Sequence, residues 1–178
     1  MIKLILIDID DTLLDFTACS RESTRLACEH MGVPFSDTLF SAFLRINPML
    51  WREIEQGKLT KEELYAVRWN RIFDAVGMQA DGPAFELLFH DFLAESAEKV
   101  PGALETVQAL AARYPLGAAS NGWAGQQRKR MEKSGLAPYF TYWFFSEDIG
   151  AAKVRIWLRG HTRCAAGRLK REKGEQND

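Results

Sequence analysis

The chain has 178 residues, 47% of them hydrophobic and 26% charged, which is enough for one globular domain with an insertion. Its formal net charge is −1 and Lys and Arg are spread along most of its length, so no basic footprint for a nucleic-acid polymer or an anionic membrane is present. The N-terminal apolar run ends on acid and falls well short of the roughly 20 apolar residues of a membrane span, and it lacks a small-residue cleavage site. Three cysteines, Cys19, Cys28 and Cys164, lack C-x-x-C spacing and read as reduced packing residues. Together these features lead us to expect a cytoplasmic protein.

Residues 2–8 form an Ile/Leu run broken only by Lys3, too short for a helix and without alternation, as expected of a parallel strand covered on both faces. Residues 17–98 switch to helical periodicity, with helices expected at 20–31, 37–56, 60–76 and 84–97. Thr60-Lys61-Glu62-Glu63 has the form of a capping box, and Gly57 ends the second helix. The aromatics Phe40, Phe43, Trp51, Tyr65, Trp69 and Phe73 fall at helical spacings and read as the core of this stretch, with one or two facing a ligand. Pro101-Gly102 punctuates the chain. A helix at 103–113, a strand ending at Ser120, a helix at about 124–134 and a strand Tyr142-Trp143-Phe144-Phe145 then alternate, the pattern of a parallel α/β sheet. The roughly 80 helical residues between the first two strands exceed any simple crossover and read as an inserted cap. The expected organisation is a Rossmann-like α/β core over 1–16 and 99–153, a helical cap over 17–98, and an atypical basic tail over 154–178.

Ligands of parallel α/β sheets bind beyond the carboxyl ends of the strands, where this chain places its polar residues. Asp8 and Asp10, at i and i+2, project into one site, an arrangement that is costly without a cation or substrate to compensate it. Beside Mg²⁺, Asp8 is a candidate nucleophile on phosphorus and Asp10 a candidate general acid and base. Ser120-Asn121-Gly122 offers a hydroxyl and backbone N–H groups, and Lys153 an ammonium, for the oxygens of a phosphoryl group. His30, His90 and His161 have no metal-ligand spacing. Arg128-Lys129-Arg130 reads as a solvated helix face, and Trp123 as structural.

Asp8-x-Asp10-x-Thr12, then Ser120-Asn121-Gly122, then Lys153 after Ser146-Glu147-Asp148-Ile149-Gly150, resembles motifs one to three of the haloacid dehalogenase superfamily over residues 1–153. The inserted helices resemble that family's type 1 cap. Asp11, with Ser120-Asn121-Gly122-x4-Gln127-x2-Arg130 and Phe145-Ser146-Glu147-Asp148-Ile149-Gly150, looks most like bacterial 5'-nucleotidases acting on pyrimidine and non-canonical nucleoside monophosphates. The resemblance implies Mg²⁺ held by the Asp8 carboxylate and the Asp10 carbonyl, and phosphate binding by Thr12, Ser120, Asn121, Gly122 and Lys153. It implies a small phosphomonoester as substrate, with a sugar-phosphate phosphatase or mutase and a 2-haloacid dehalogenase as alternatives in the same superfamily. A dehalogenase has no need of Asp10. A signalling receiver domain would require an acidic strand end near residues 50–60, which read as helix. Residues 154–178 hold seven Lys/Arg against three Asp/Glu and contain no acidic fourth motif of the kind the family carries after its lysine. That change is what a truncated or frameshifted frame would give. It leads us to expect an exposed first strand and weak turnover, with an inactive remnant or binding module as a further alternative.

Overall fold

A computed structural model describes residues 2–149. Lys153 and the basic tail, including Cys164 and His161, lie outside the described residues, as do the expectations that rest on them. Three parallel strands, β1 (Ile5–Asp8), β2 (Leu116–Ser120) and β3 (Tyr142–Phe145), form a sheet in the order β1-β2-β3. Asp8 pairs with Ala119 and Ser120 with Phe145, so the three carboxyl ends are level and the residues that follow them converge. Among the described residues β1 stands at one edge of the sheet. Gly117 sits mid-sheet because a Cβ there would lie 2.7 Å from Leu6 Cδ2 and 2.8 Å from Phe144 Cε2.

Between β1 and β2 come α1 (Phe16–Met31), α2 (Asp37–Glu55), α3 (Lys61–Val76), α4 (Gly82–Glu95) and α5 (Ala103–Ala111); α6 (Ala124–Lys133), a 3₁₀ turn (Ala137–Tyr139) and α7 (Ser146–Ile149) complete the described chain. Side chains of Asp15, Ser36, Thr60 and Asp81 cap α1 to α4, and Thr60 with Glu63 makes the capping box legible in the sequence. The first helix starts at Phe16, four residues before the expected 20, because Asp15 accepts the Ala18 N–H at 2.8 Å.

Apolar side chains gather into two clusters. One lies among α1 to α4, where Phe43 stacks between Phe40 and Trp69, and Phe73, Phe85 and Phe89 close around the indole. Cys19 and Cys28 are buried free thiols at its edge. The other joins Ile9, Leu13 and Leu14 to the β2 and β3 residues Leu116, Ala118 and Phe145 and to Val107 and Met131 of the flanking helices. Each cluster buries the apolar faces of its own set of elements. No helix of the described residues is long and apolar enough to cross a membrane.

Candidate active site

β1 delivers Asp8 and Asp10 to the same side of the chain, with Ile9 fully buried between them. The turn after Asp10 is tight: the N–H groups of Leu13 and Leu14 both donate to the Ile9 carbonyl, at 2.9 and 3.0 Å, and Asp11 N–H donates to the Leu14 carbonyl at 2.8 Å. Asp11 takes a left-handed conformation, φ 55°, which Asp tolerates better than most residues. Its Oδ1 accepts the Phe16 N–H at 3.0 Å, tying the turn to the start of α1. Burial, partly offset by backbone N–H groups of Thr17 and Phe16, raises the Asp11 pKa above its ordinary value. The Ile9 N–H donates to Asp8 Oδ1 at 2.8 Å, which fixes one oxygen of that carboxylate.

The end of β2 supplies the opposite wall. Ser120 Oγ accepts the Gly122 N–H at 3.0 Å and Gln127 Nε2 at 3.1 Å. Asn121 Nδ2 donates to Glu55 Oε1 of α2 at 3.2 Å, and Ser146 Oγ donates to the Asn121 carbonyl at 3.3 Å. At Gly122 a Cβ would lie 2.5 Å from Gln127 Nε2, so a larger residue there would displace that amide. Lys61 of α3 donates to the Gly122 carbonyl at 3.2 Å and lies over the Trp123 ring, which stacks on Tyr65 at 5.2 Å. Trp123 is therefore where the helical stretch rests on the β2 turn. Burial lowers the Lys61 pKa, against the pull of Glu147, Glu62 and Asp148.

The walls enclose a cavity of about 420 Å³ lined by Asp8, Asp10 and Asp11 below, Ser120 to Trp123 at the side, and Asn47, Trp51, Arg52, Arg68 and His90 from the helices. That volume is within the range of small-ligand sites. The structure thus brings together five of the seven residues singled out in the sequence: Asp8, Asp10, Ser120, Asn121 and Gly122. Thr12 is exposed and stands outside the cavity lining, because the tight turn carries it past the strand end. Lys153 lies outside the described residues.

One reading of the sequence is corrected. Arg130, expected on a solvated basic face, is fully buried and its Nη1 donates to Asp10 Oδ1 at 2.6 Å. Gln127 is also buried and donates to Asp10 Oδ2. The spacing i, i+3 puts these two on the inner face of α6. Their neighbours do face outward: Lys129 and Lys133 pair with Glu95, and Arg128 lies over the Trp143 and Phe145 rings. Against Lys129 and Lys133 the Glu95 pKa drops to about 2.

The residues present fit a magnesium ion. Magnesium takes one or two carboxylates and completes its shell with water and phosphate oxygens. Asp8 provides a carboxylate at the cavity, and no backbone hydrogen bond among the described residues uses the Asp10 carbonyl. No group of three or more His, Cys, Asp or Glu side chains suited to a metal occurs among the described residues, so a site dominated by protein ligands is not formed by them.

Comparison with known proteins agrees with the geometry. The chain is 34% identical over 151 residues to the HAD-hydrolase YfnB of Bacillus subtilis, covering 85% of this chain and 64% of YfnB. It is 33% identical over 152 residues to the pyrimidine 5'-nucleotidase PynA of Streptococcus pneumoniae, with the same two coverages. The chain therefore spans 64% of the length of these curated relatives. The crystal structure of magnesium-bound YfnB superposes with a TM-score of 0.79 at 34% identity, covering 84% of this chain and 67% of that one. The L-2-haloacid dehalogenase Rha0230 shares the fold alone, with a TM-score of 0.71 at 13% identity over 91% of this chain and 70% of that one. A family model matches residues 2–167, and the chain belongs to the haloacid dehalogenase-like hydrolases.

Proposed function

We propose that this chain is a magnesium-dependent phosphomonoesterase in which Asp8 accepts the phosphoryl group and Asp10 exchanges a proton with the leaving oxygen and then with water. The observation that carries the reading is the convergence of Asp8, Asp10 and the Ser120-Asn121-Gly122 turn on a single cavity. Asp8 keeps one oxygen oriented by the Ile9 N–H and turns its carboxylate to the cavity, where it is placed for attack on phosphorus. The Ser120-Asn121-Gly122 turn is assigned to the non-bridging phosphoryl oxygens, and Lys153, outside the described residues, is proposed as a further phosphate-binding group. The Asp8 carboxylate and the Asp10 carbonyl would hold magnesium, which would supply positive charge against the phosphoryl oxygens. Asp10 is held by α6 in reach of the same space, and the proton it carries passes to the leaving oxygen.

The helices 17–98 act as a cap that closes the site from above and selects the substrate. Nucleoside 5'-monophosphates are the class we assign to the cavity: Trp51 lines it and is the candidate to meet a base, and two of the relatives are pyrimidine 5'-nucleotidases.

The test is phosphate release from p-nitrophenyl phosphate by the purified chain, with and without Mg²⁺, in the wild type and in Asp8→Asn. Magnesium-dependent release that disappears in Asp8→Asn supports the reading. Release that ignores the metal or survives the substitution overturns it. A panel of nucleoside monophosphates and sugar phosphates then separates nucleotidase from sugar-phosphate specificity.

A further inference from the structure

Gln127 and Arg130 hold the side chain on which proton transfer depends. Arg130 Nη1 donates both to Asp10 Oδ1, at 2.6 Å, and to Gln127 Oε1, at 3.2 Å. Gln127 Nε2 donates to Asp10 Oδ2 and, at 3.1 Å, to Ser120 Oγ. Arginine has no acceptor, so the Gln127 oxygen must face Arg130 and its nitrogen must face Asp10 and Ser120. A carboxyl group offers two lone-pair directions on each oxygen. The two donors occupy one direction on each and leave one on each free for a proton and a substrate. The Nε and Nη2 of Arg130 are buried with no acceptor among the described residues. A guanidinium placed so deep with two nitrogens unbonded is unfavourable for folding, and stability does not account for it.

We propose that Gln127 and Arg130 are positioning residues for the general acid, an inference that rests on the phosphomonoesterase reading. They lock the Asp10 carboxyl in the rotamer that serves the leaving oxygen and, through Ser120, tie that rotamer to the phosphate-binding turn. In the first half-reaction a bond forms from an Asp8 oxygen to phosphorus and the bond from phosphorus to the leaving oxygen breaks. The Asp10 proton goes to that oxygen, giving a free alcohol, an aspartyl phosphate and an Asp10 carboxylate. The Arg130 guanidinium lies against the new negative charge without having to move. In the second half-reaction a water oxygen bonds to phosphorus, its proton returns to Asp10, and Asp8 is released as carboxylate with inorganic phosphate.

The dependence on leaving group distinguishes this role from a structural one. p-Nitrophenol departs as a stable anion and needs little help from an acid. p-Nitrobenzyl phosphate has one more methylene, leaves as an alcohol, and needs a proton as its bond breaks. We expect Gln127→Met and Arg130→Met to lower kcat/KM for the benzyl ester at least about tenfold more than for the phenyl ester, at the low end of what general acid catalysis contributes. Arg130→Lys recovers part of the difference. The ratio of the two values does not depend on the fraction of protein folded, so a destabilised variant still reports. Gln127→Met, close to the native volume, is also expected to keep the rise in melting temperature that Mg²⁺ produces in the wild type. An unchanged ratio, or loss of the magnesium effect in Gln127→Met, overturns the positioning role and leaves the phosphatase reading standing. Wild type that hydrolyses neither ester removes both.

Discussion

Replacing Glu86 by Gln tests how the helical unit over the site is held together. Arg68 and Glu86 are 7% and 0% exposed, joined by Nε to Oε2 at 2.8 Å and by Nη2 to Oε1, and Arg68 Nη1 also donates to Asn47 Oδ1 at 3.0 Å. Glutamine fills the same space but leaves the buried guanidinium without its counter-charge, which costs about 3–5 kcal/mol. At about 2–4 °C per kcal/mol for a chain of this size, the melting temperature falls by about 6–20 °C. Urea unfolding followed by tryptophan fluorescence reads the loss as a lower midpoint at unchanged slope. The double replacement Arg68→Met with Glu86→Leu is expected to recover most of it, because no charge is then left buried. A loss under about 1 kcal/mol for Glu86→Gln, the general size of a solvent-exposed ion pair, would refute the account of a desolvated pair.

Two further outcomes follow from local geometry. Asp11→Gly relieves the left-handed backbone while giving up the bond to the Phe16 N–H, and its stability is expected within about 0.5 kcal/mol of wild type, whereas Asp11→Ala keeps the strain, loses the bond and costs about 1–2 kcal/mol in denaturant unfolding. Burial lowers the His90 pKa below its ordinary 6.5, with Asp91 opposing, so the unfolded chain takes up a proton that the folded chain refuses. His90 therefore adds nothing to pH dependence above 6.5 and weakens the fold as pH falls from there toward the lower folded value; melting curves of His90→Asn should lack that part of the slope.

How much of this was legible varies with the physical signal. β3 was expected at 142–145 and is found there, because four aromatic residues between turn signals admit little else. The Thr60 box and the stop at Gly57 are local chemistry, readable without the fold. The early start of α1, at Phe16, depends on the Asp15 side chain accepting the Ala18 N–H, a cap that helical periodicity alone does not mark. Asp8, Asp10 and the Ser120 turn were found from strand-end logic, which needs only the order of elements. Arg130 was not, since a basic triplet carries no mark of which member faces inward. Only the placement of α6 against the Asp10 turn decides that, and the Gln127–Arg130 spacing was the one available hint. Tyr65, expected in the helical core, instead stacks on Trp123, a contact between segments 58 residues apart in the chain that periodicity could not supply.

The central claim is that Asp8 carries the phosphoryl group. The chain should be mixed with p-nitrophenyl phosphate and Mg²⁺, quenched in acid within one turnover, digested, and the peptide containing Asp8 weighed. The account predicts a phosphoryl group on that peptide, dependent on Mg²⁺ and absent in Asp8→Asn. Phosphate release at the wild-type rate with that peptide never modified, or unimpaired release by Asp8→Asn, would contradict it.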